Sequence, residues 1–354
     1  MKITRSSICV CSDFNKKPKI PDIVEFESLN LSYATRVAFT CLFNIKKVNS
    51  KHYFTISQIA LIKQAAEETC ATMVTLNTSV QASQVKQLTK LIGLPVLDRT
   101  DLLLALFEDR ARSSTGKLQV ELAKYKHQLT QLVRGWTHLE RQKGGIAHRG
   151  GPGEKQIELD RRILRDKIHT VQKRLKVAQK TRLLNLVSRQ KSGVFNAAMI
   201  GYTNAGKSTL FNLLTQSNTF QENLLFATLD PLSRRLQNAY FKHIILTDTV
   251  GFIQNMPNEL QETFYDTLVE VKYTDLILHV VDYTEKDYMK KIYVVQDALK
   301  KIDAADKPTW IVYNKVDSCL NKLHVAEFHT RSFYVSAKTG HHIEQLRQAL
   351  INYA

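Results

Sequence analysis

The chain of 354 residues has little cysteine: Cys9, Cys11, Cys41, Cys70 and Cys319. An odd, scattered set excludes a disulfide framework and fits reduced thiols in a cytoplasm. Cys9-x-Cys11 has no matching second pair, so an incidental thiol pair outweighs a metal knuckle. No uninterrupted apolar run reaches the length of a membrane helix. Lys2 and Arg5 precede only Ile8-Cys9-Val10-Cys11, too short an apolar piece for a signal peptide. The expectation is a cytoplasmic protein with no membrane span. Hydrophobic residues make up 44% and charged residues 23%, the proportions of a globular chain long enough for two or three domains.

Acidic residues are scarce in one place. The net charge is +17, and it is unevenly spread. Residues 110–191 hold 21 Lys/Arg against 6 Asp/Glu, whereas 1–109 hold 13 against 10 and 192–354 hold 16 against 17. A surplus of +15 in less than a quarter of the chain is the footprint of a polyanion partner, nucleic acid first. A solvated pair of charged helices is the plainer alternative.

Residues 1–34 show no clear period and read as an irregular tail. From 35 to 113, strand candidates (Thr35–Phe43, Ala71–Leu76, Pro95–Asp98) alternate with helix candidates (Ser57–Thr69, Ser83–Ile92), which implies a small α/β domain with a mainly parallel sheet. Residues 114–191 read as a basic two-helix extension. Apolar residues recur at Leu118, Val120, Leu122, Tyr125, Leu129 and Leu132, and again at Ile157, Leu164, Ile168, Val171 and Leu175, in coiled-coil spacing. Between them lies the glycine-rich tip Gly144 to Gly153. It is either a plain loop or a contact loop whose backbone approaches phosphates. Under the second reading, His148, Arg149, Lys155, Arg161 and Arg162 are the candidate RNA contacts.

Residues 192–354 alternate strands and helices again, with a polar motif behind each strand candidate. Gly201-Tyr202-Thr203-Asn204-Ala205-Gly206-Lys207-Ser208-Thr209 follows the strand Phe195–Ile200 and opens a helix. This is the context of a P-loop: glycines free the backbone to wrap a polyphosphate, and the helix N-terminus adds its dipole. Lys207 is expected to reach the β- and γ-phosphates and Ser208 to hold Mg²⁺. Asp248, behind the strand at His243–Leu246, organises the same ion, directly or through water, and the Gly251 N–H meets the γ-phosphate. In Phe226-Ala227-Thr228, Thr228 closes over Mg²⁺ in the triphosphate state. Lys207, Thr228 and Gly251 are thus the expected catalytic set. Asn314-Lys315-Val316-Asp317 follows the strand at Ile311–Tyr313, where a carboxylate at Asp317 pairs with the two donors of a guanine edge. Ser336-Ala337-Lys338 then offers a backbone N–H to the guanine O6. Phe252 stands where a water-orienting glutamine would serve, so slow hydrolysis is expected without help. For Asn204 two readings stand: a potassium ligand, or a local hydrogen bond that shapes the loop.

From about Val96 to the end, these residues resemble the HflX family of GTPases. The resemblance rests on Asp98-Arg99-Thr100, Gly116-Lys117-Leu118-Gln119-Val120-Glu121-Leu122, the glycine-rich tip, the P-loop, Phe226 to Pro231, and Asp248 to Ile253. Before about residue 95 the match is weak. It implies an α/β domain with a helical-hairpin extension, followed by a Ras-like P-loop GTPase domain with a doubly wound, mainly parallel sheet. It also implies GTP hydrolysis stimulated by the large ribosomal subunit, splitting or rescue of stalled ribosomes, and a monomer off the ribosome. An rRNA-bound assembly or hibernation factor with little turnover is the second reading. The tip departs from the family pattern: Ala147 replaces a glycine, and an extra glycine separates Arg149 from Pro152.

Overall fold

The computed structural model describes residues 5–33, 35–136, 152–216, 225–226, 230–236, 243–253, 256–257, 260–261, 265, 268–318 and 331–354. The chain divides into two compact units, 1–109 with 118–174, and 110–117 with 175–354.

The first unit starts earlier than expected. Residues 5–32 form strand β1 (Arg5–Phe14) and helix α1 (Ile20–Ser32). β1 lies inside a four-stranded parallel sheet of order β2-β1-β3-β4, between β2 (Thr35–Ile45) and β3 (Met73–Leu76), with β4 (Val96–Leu97) at the far edge. The irregular tail is therefore corrected: this segment is sheet centre. It has no period because both faces are covered, so Ser7, Ile8, Cys9, Val10 and Cys11 are all buried and no polar residue alternates. In α1 the buried face includes Asn30 and Ser32, which blurs the apolar stripe. Asn30 is satisfied there, accepting from Ser7 Oγ and donating to the Phe26 carbonyl. Burial raises the Cys9 thiol to about 11 and the Cys11 thiol to about 12. The pair is core packing rather than a metal knuckle.

Helices α2 (Ile56–Glu68) and α3 (Ala82–Ile92) follow at the expected places. Thr55 and Gln58 start the first with a reciprocal capping box, and left-handed Gly93 ends the second. Helix α4 (Arg99–Arg110) buries Leu102, Leu103, Leu106 and Phe107. The extension consists of α5 (Ser114–Trp136) and α6 (Pro152–Lys191). Within the first unit they meet where Lys167 lies over the Tyr125 ring, 5.4 Å from its centroid. Gln131 of α5 accepts from the Ala82 N–H at 2.7 Å. On α6, Arg162, Arg165, Lys167, Lys173 and Arg174 are exposed.

The second unit carries a six-stranded sheet of order β10-β9-β8-β5-β7-β6. Its strands are β5 (Phe195–Gly201), β6 (Leu232–Arg235), β7 (Ile244–Asp248), β8 (Leu276–Asp282), β9 (Thr309–Asn314) and β10 (Ser332–Tyr334). All pairs are parallel except β6 with β7. Helices α7 (Lys207–Thr215), α8 (Tyr288–Lys301) and α9 (Ile343–Tyr353) belong to this unit. Leu210, Phe211 and Leu214 of α7 and Leu346 and Leu350 of α9 share a core with Leu246, Leu278 and Val312 of the sheet. Burial in the central β8 is complete enough to show no alternation, as parallel strands covered on both faces require.

Candidate functional site

The parallel strands β5, β7, β8 and β9 all deliver their carboxyl ends to one edge, and the polar motifs gather there. β5 runs into the loop 202–206, and α7 begins at Lys207. Gly201 sits at φ +150° and Gly206 at φ +88°; a Cβ on either would collide with the Val280 carbonyl or the Asn314 amide. Both glycines are thus required by strain and by space. Asn204 adopts φ +61°, is exposed, and its side chain makes no hydrogen bond among the described residues. Asparagine tolerates this left-handed conformation.

Lys207 is 6% exposed, and its Nζ donates to the Gly201 carbonyl at 3.1 Å and the Tyr202 carbonyl at 2.8 Å. Burial pushes its ammonium down to about 8, with the Asp248 charge opposing. Ser208 Oγ donates to Asp248 Oδ2 at 2.7 Å. Asp248 ends β7 and is in register with Met199 of β5. Thr249 Oγ1 donates to the Met199 carbonyl, which secures the turn after β7. A Cβ on Gly251 would collide with Lys207 Nζ and Thr203, so glycine is needed for close approach. Phe252 is buried and bridges the loop backbone: its N–H donates to the Gly201 carbonyl, and its carbonyl accepts from Thr203.

A second cluster lies behind β9. Asn314 Nδ2 donates to the Ala205 carbonyl at 2.8 Å, and its Oδ1 accepts from the Ala337 N–H at 2.9 Å. One side chain thus holds the loop after β5 against the loop after β10. Lys315, at φ +68°, pairs with Asp282 at 2.6 Å. Asp317 Oδ1 accepts from Ser336 Oγ at 2.7 Å, and that bond holds its carboxyl below the ordinary range. Ser336 is fully buried, whereas Lys338 is exposed.

The structure therefore brings Lys207, Ser208, Asp248 and Gly251 together, and separately joins Ala205, Asn314, Asp317, Ser336 and Ala337. Phe226 is buried with φ +56°. Ala227, Thr228, His148 and Arg149 lie outside the described residues, and of Lys155 only the backbone within α6 is described. Arg161 is half-buried and Arg162 exposed on α6. Sequence reasoning missed Asp282, the ion-pair partner of Lys315, although its place at a strand end beside the expected base loop was a usable signal.

Chemically, the first cluster is an anion site with hard oxygen donors beside it. The second presents the Asp317 carboxylate, a group able to accept two hydrogen bonds. Comparison with known proteins agrees. The family descriptions "GTP-binding GTPase N-terminal", "GTP-binding GTPase Middle Region" and "50S ribosome-binding GTPase" match residues 21–108, 110–189 and 196–315. The GTPase HflX of Escherichia coli is 40% identical over 347 residues, 95% of this chain and 80% of that protein. The chain belongs to the HflX family of GTPases. It is a GTP-binding, GTP-hydrolysing enzyme. The GTPase HflX of Caldanaerobacter subterraneus subsp. tengcongensis is 42% identical over 305 residues, covering 86% of this chain and 70% of that one. The match to HflX proteins extends through the N-terminal region, where resemblance was expected to be weak. The solved structure of an SsGBP–GDP complex shares the fold, with TM-score 0.61 and 21% identity, covering 99% of this chain and 98% of that one. No helix among the described residues is long and apolar enough to cross a membrane.

Proposed function

We propose that this HflX-family GTPase acts on the large ribosomal subunit in its GTP state and splits or rescues stalled ribosomes. The observation that carries the reading is the pairing of a guanine-complementary site with a +15 segment that includes the exposed Arg162, Arg165, Lys173 and Arg174. Ribosomal RNA is the polyanion that such an arm fits, and the description "50S ribosome-binding GTPase" attached to the matched family supports it. His148, Arg149, Lys155, Arg161 and Arg162 are the proposed contacts, and the basis is charge.

In the proposed site, Gly201 to Thr209 wrap the phosphates. Lys207 exchanges the Gly201 and Tyr202 carbonyls for phosphate oxygens, which returns its charge to a paired setting. Gly251 offers its N–H to the γ-phosphate. Asp317, Ser336, Ala337 and Lys338 read guanine, with Asn314 and Lys315 holding the two base loops, and Phe226 and Ala227 flank the nucleotide. A hydroxyl and a carboxylate oxygen 2.7 Å apart fit a hard divalent cation, so Ser208 and Asp248, with Thr228, would hold Mg²⁺. Bound there, Mg²⁺ supplies charge neutralisation at the phosphates. Asn204, exposed on the same loop, is the proposed potassium ligand, and turnover compared in potassium and sodium salts tests it.

Phe252 is packed into the loop and presents no hydrogen-bonding group to a water, so we expect slow turnover without the subunit. The deciding measurement is phosphate release with and without purified large subunits, beside co-sedimentation with a non-hydrolysable GTP analogue. Stimulated release is the expected result. Tight co-sedimentation without stimulation favours the assembly or hibernation reading, and no co-sedimentation overturns both. Turnover at tens per second by the isolated protein overturns the expectation of slow turnover.

A further inference from the structure

Asp230 stands outside the nucleotide-binding and metal-binding sets, yet its carboxylate accepts three hydrogen bonds. Its Oδ2 accepts from the Arg112 N–H at 2.9 Å and the Ser113 N–H at 2.7 Å, and its Oδ1 accepts from Ser113 Oγ at 2.5 Å. Ser113 in turn starts α5: its Oγ accepts from the Gly116 N–H at 2.8 Å and its carbonyl from the Lys117 N–H at 3.0 Å. A carboxylate 117 residues away in sequence from Ser113 thus sits on the N-terminus of α5, where the orphan N–H groups and the helix dipole favour negative charge. The fit is close. A Cβ on Gly116 would overlap sterically with Asp230 Oδ1, so only glycine is accommodated while the carboxylate stays.

The other side of Asp230 leads to the nucleotide site. Through Pro231 it enters β6, where Leu232 is in register with Asp248 and Ser233 Oγ lies 2.9 Å from Thr247 Oγ1. Asp248 holds Ser208 at the start of α7. All these residues belong to one compact unit, and α5 leaves that unit after Lys117 to become the arm.

We propose that Asp230 is a positioning residue that couples the state of the nucleotide site to the first turn of α5, and so to the basic arm. The link is short: a hydrogen-bonded carboxylate on the start of α5 and, two residues on, a strand paired with Asp248, which suits it to transmit a displacement at Asp248 rather than absorb it. The role of the arm rests on the ribosomal reading above; the coupling from Asp248 to α5 does not.

The test uses the full chain, in two measurements. First, amide hydrogen exchange over residues 112–122 is compared with GDP and with a non-hydrolysable GTP analogue. In the wild type we expect about a threefold difference in exchange rate between the two nucleotides. In Asp230→Ala the difference vanishes, while GDP affinity and unstimulated turnover stay within about twofold. Asp230→Asn restores the difference, since its carbonyl still accepts from the two N–H groups and its amide donates to Ser113 Oγ. Persistence of the nucleotide difference in Asp230→Ala, or its absence from the wild type, overturns the proposal. Where Asp230→Ala melts early, Gly116→Ala, whose Cβ would displace the Asp230 carboxylate, carries the same comparison. Second, stimulation of hydrolysis by large subunits is expected to fall about tenfold in Asp230→Ala and to stay near wild type in Asp230→Asn. Failure of the subunits to stimulate the wild type defeats the ribosomal reading alone, since the exchange measurement still decides the coupling.

Discussion

Both sheets gather charge at the carboxyl ends of parallel strands, but they use it differently. Around the four-stranded sheet, Arg99 is 5% exposed and donates to Asn77 Oδ1 and, at 2.7 Å, to Glu25 Oε1. Asp98 accepts from the Val80 and Asp101 N–H groups and caps α4. Arg99 and Glu25 thus form an ion pair within the unit itself. At the six-stranded sheet, Lys207 is also buried, but its partners are two backbone carbonyls, and burial lowers its charge affinity. One edge is closed by its own ion pair, whereas the other holds a cation whose better partner is an incoming anion. The difference teaches that a strand-end position permits a site but does not make one; unmet electrostatic demand does.

The comparison can be broken most severely at Arg99. Arg99→Met removes one half of a buried pair and leaves Glu25 with an uncompensated charge, so the first unit should lose about 3–5 kcal/mol. Nucleotide affinity should remain, because no nucleotide-site group changes. Chemical denaturation alongside GDP titration reads both, and loss of GDP binding in a folded variant would contradict the division. Asp317→Asn tests the other edge. It exchanges an acceptor for a donor opposite the guanine donors, and GTP affinity should fall roughly a hundredfold, about 3 kcal/mol, with gain for a base bearing a carbonyl at that position. Equal affinity for GTP and its xanthine counterpart in the wild type would remove Asp317 from base recognition.

Lys207 gives a smaller effect with a sign of its own. Its folded pKa of about 8 lies below the unfolded value, so the unfolded chain binds more protons between them. Stability of the nucleotide-free protein should therefore rise with pH across roughly 8 to 10. Lys207→Met should abolish nucleotide binding yet raise the nucleotide-free melting temperature at pH 7, by the equivalent of about 2 kcal/mol. Unchanged melting would mean that the buried charge is better paired than its two carbonyls suggest. His279 of β8, which burial, and then the Lys207 charge, push down to about 3, acts only in acid. Its unfolded form protonates near 6.5, so stability should fall below that pH by on the order of 1 kcal/mol per unit. His279→Asn should flatten that slope in acid denaturation curves.

Legibility in the sequence followed the range of the interaction. The loop at Gly201 to Ser208 was readable because its geometry is local: two glycines at strained positions, then a lysine at a helix start. Asp248, Asn314, Asp317 and Ser336 were readable because each stands at a strand end. β1 was not, since Ser6-Ser7-Ile8-Cys9-Val10-Cys11-Ser12 mixes small polar and apolar residues without period, and the two faces of a central strand demand none. Helix α1 was hidden by Asn30, which looks polar in sequence but is satisfied internally by Ser7 and the Phe26 carbonyl. β6 escaped because two of its four residues are exposed and the other two only half-buried at a sheet edge.

By itself, then, the sequence determined the glycine loop between β5 and α7, the polar residues behind the strand ends, much of the strand and helix alternation and the placement of excess charge. These follow from backbone sterics, hydrogen-bonding inventory and composition within a few residues. Tertiary structure alone decided that Cys9 and Cys11 are core, that Asn314 ties two loops together, and that Asp230 closes the start of α5. Each of those depends on a partner tens to more than a hundred residues away, and no local spacing encodes which distant carboxylate a helix start will meet.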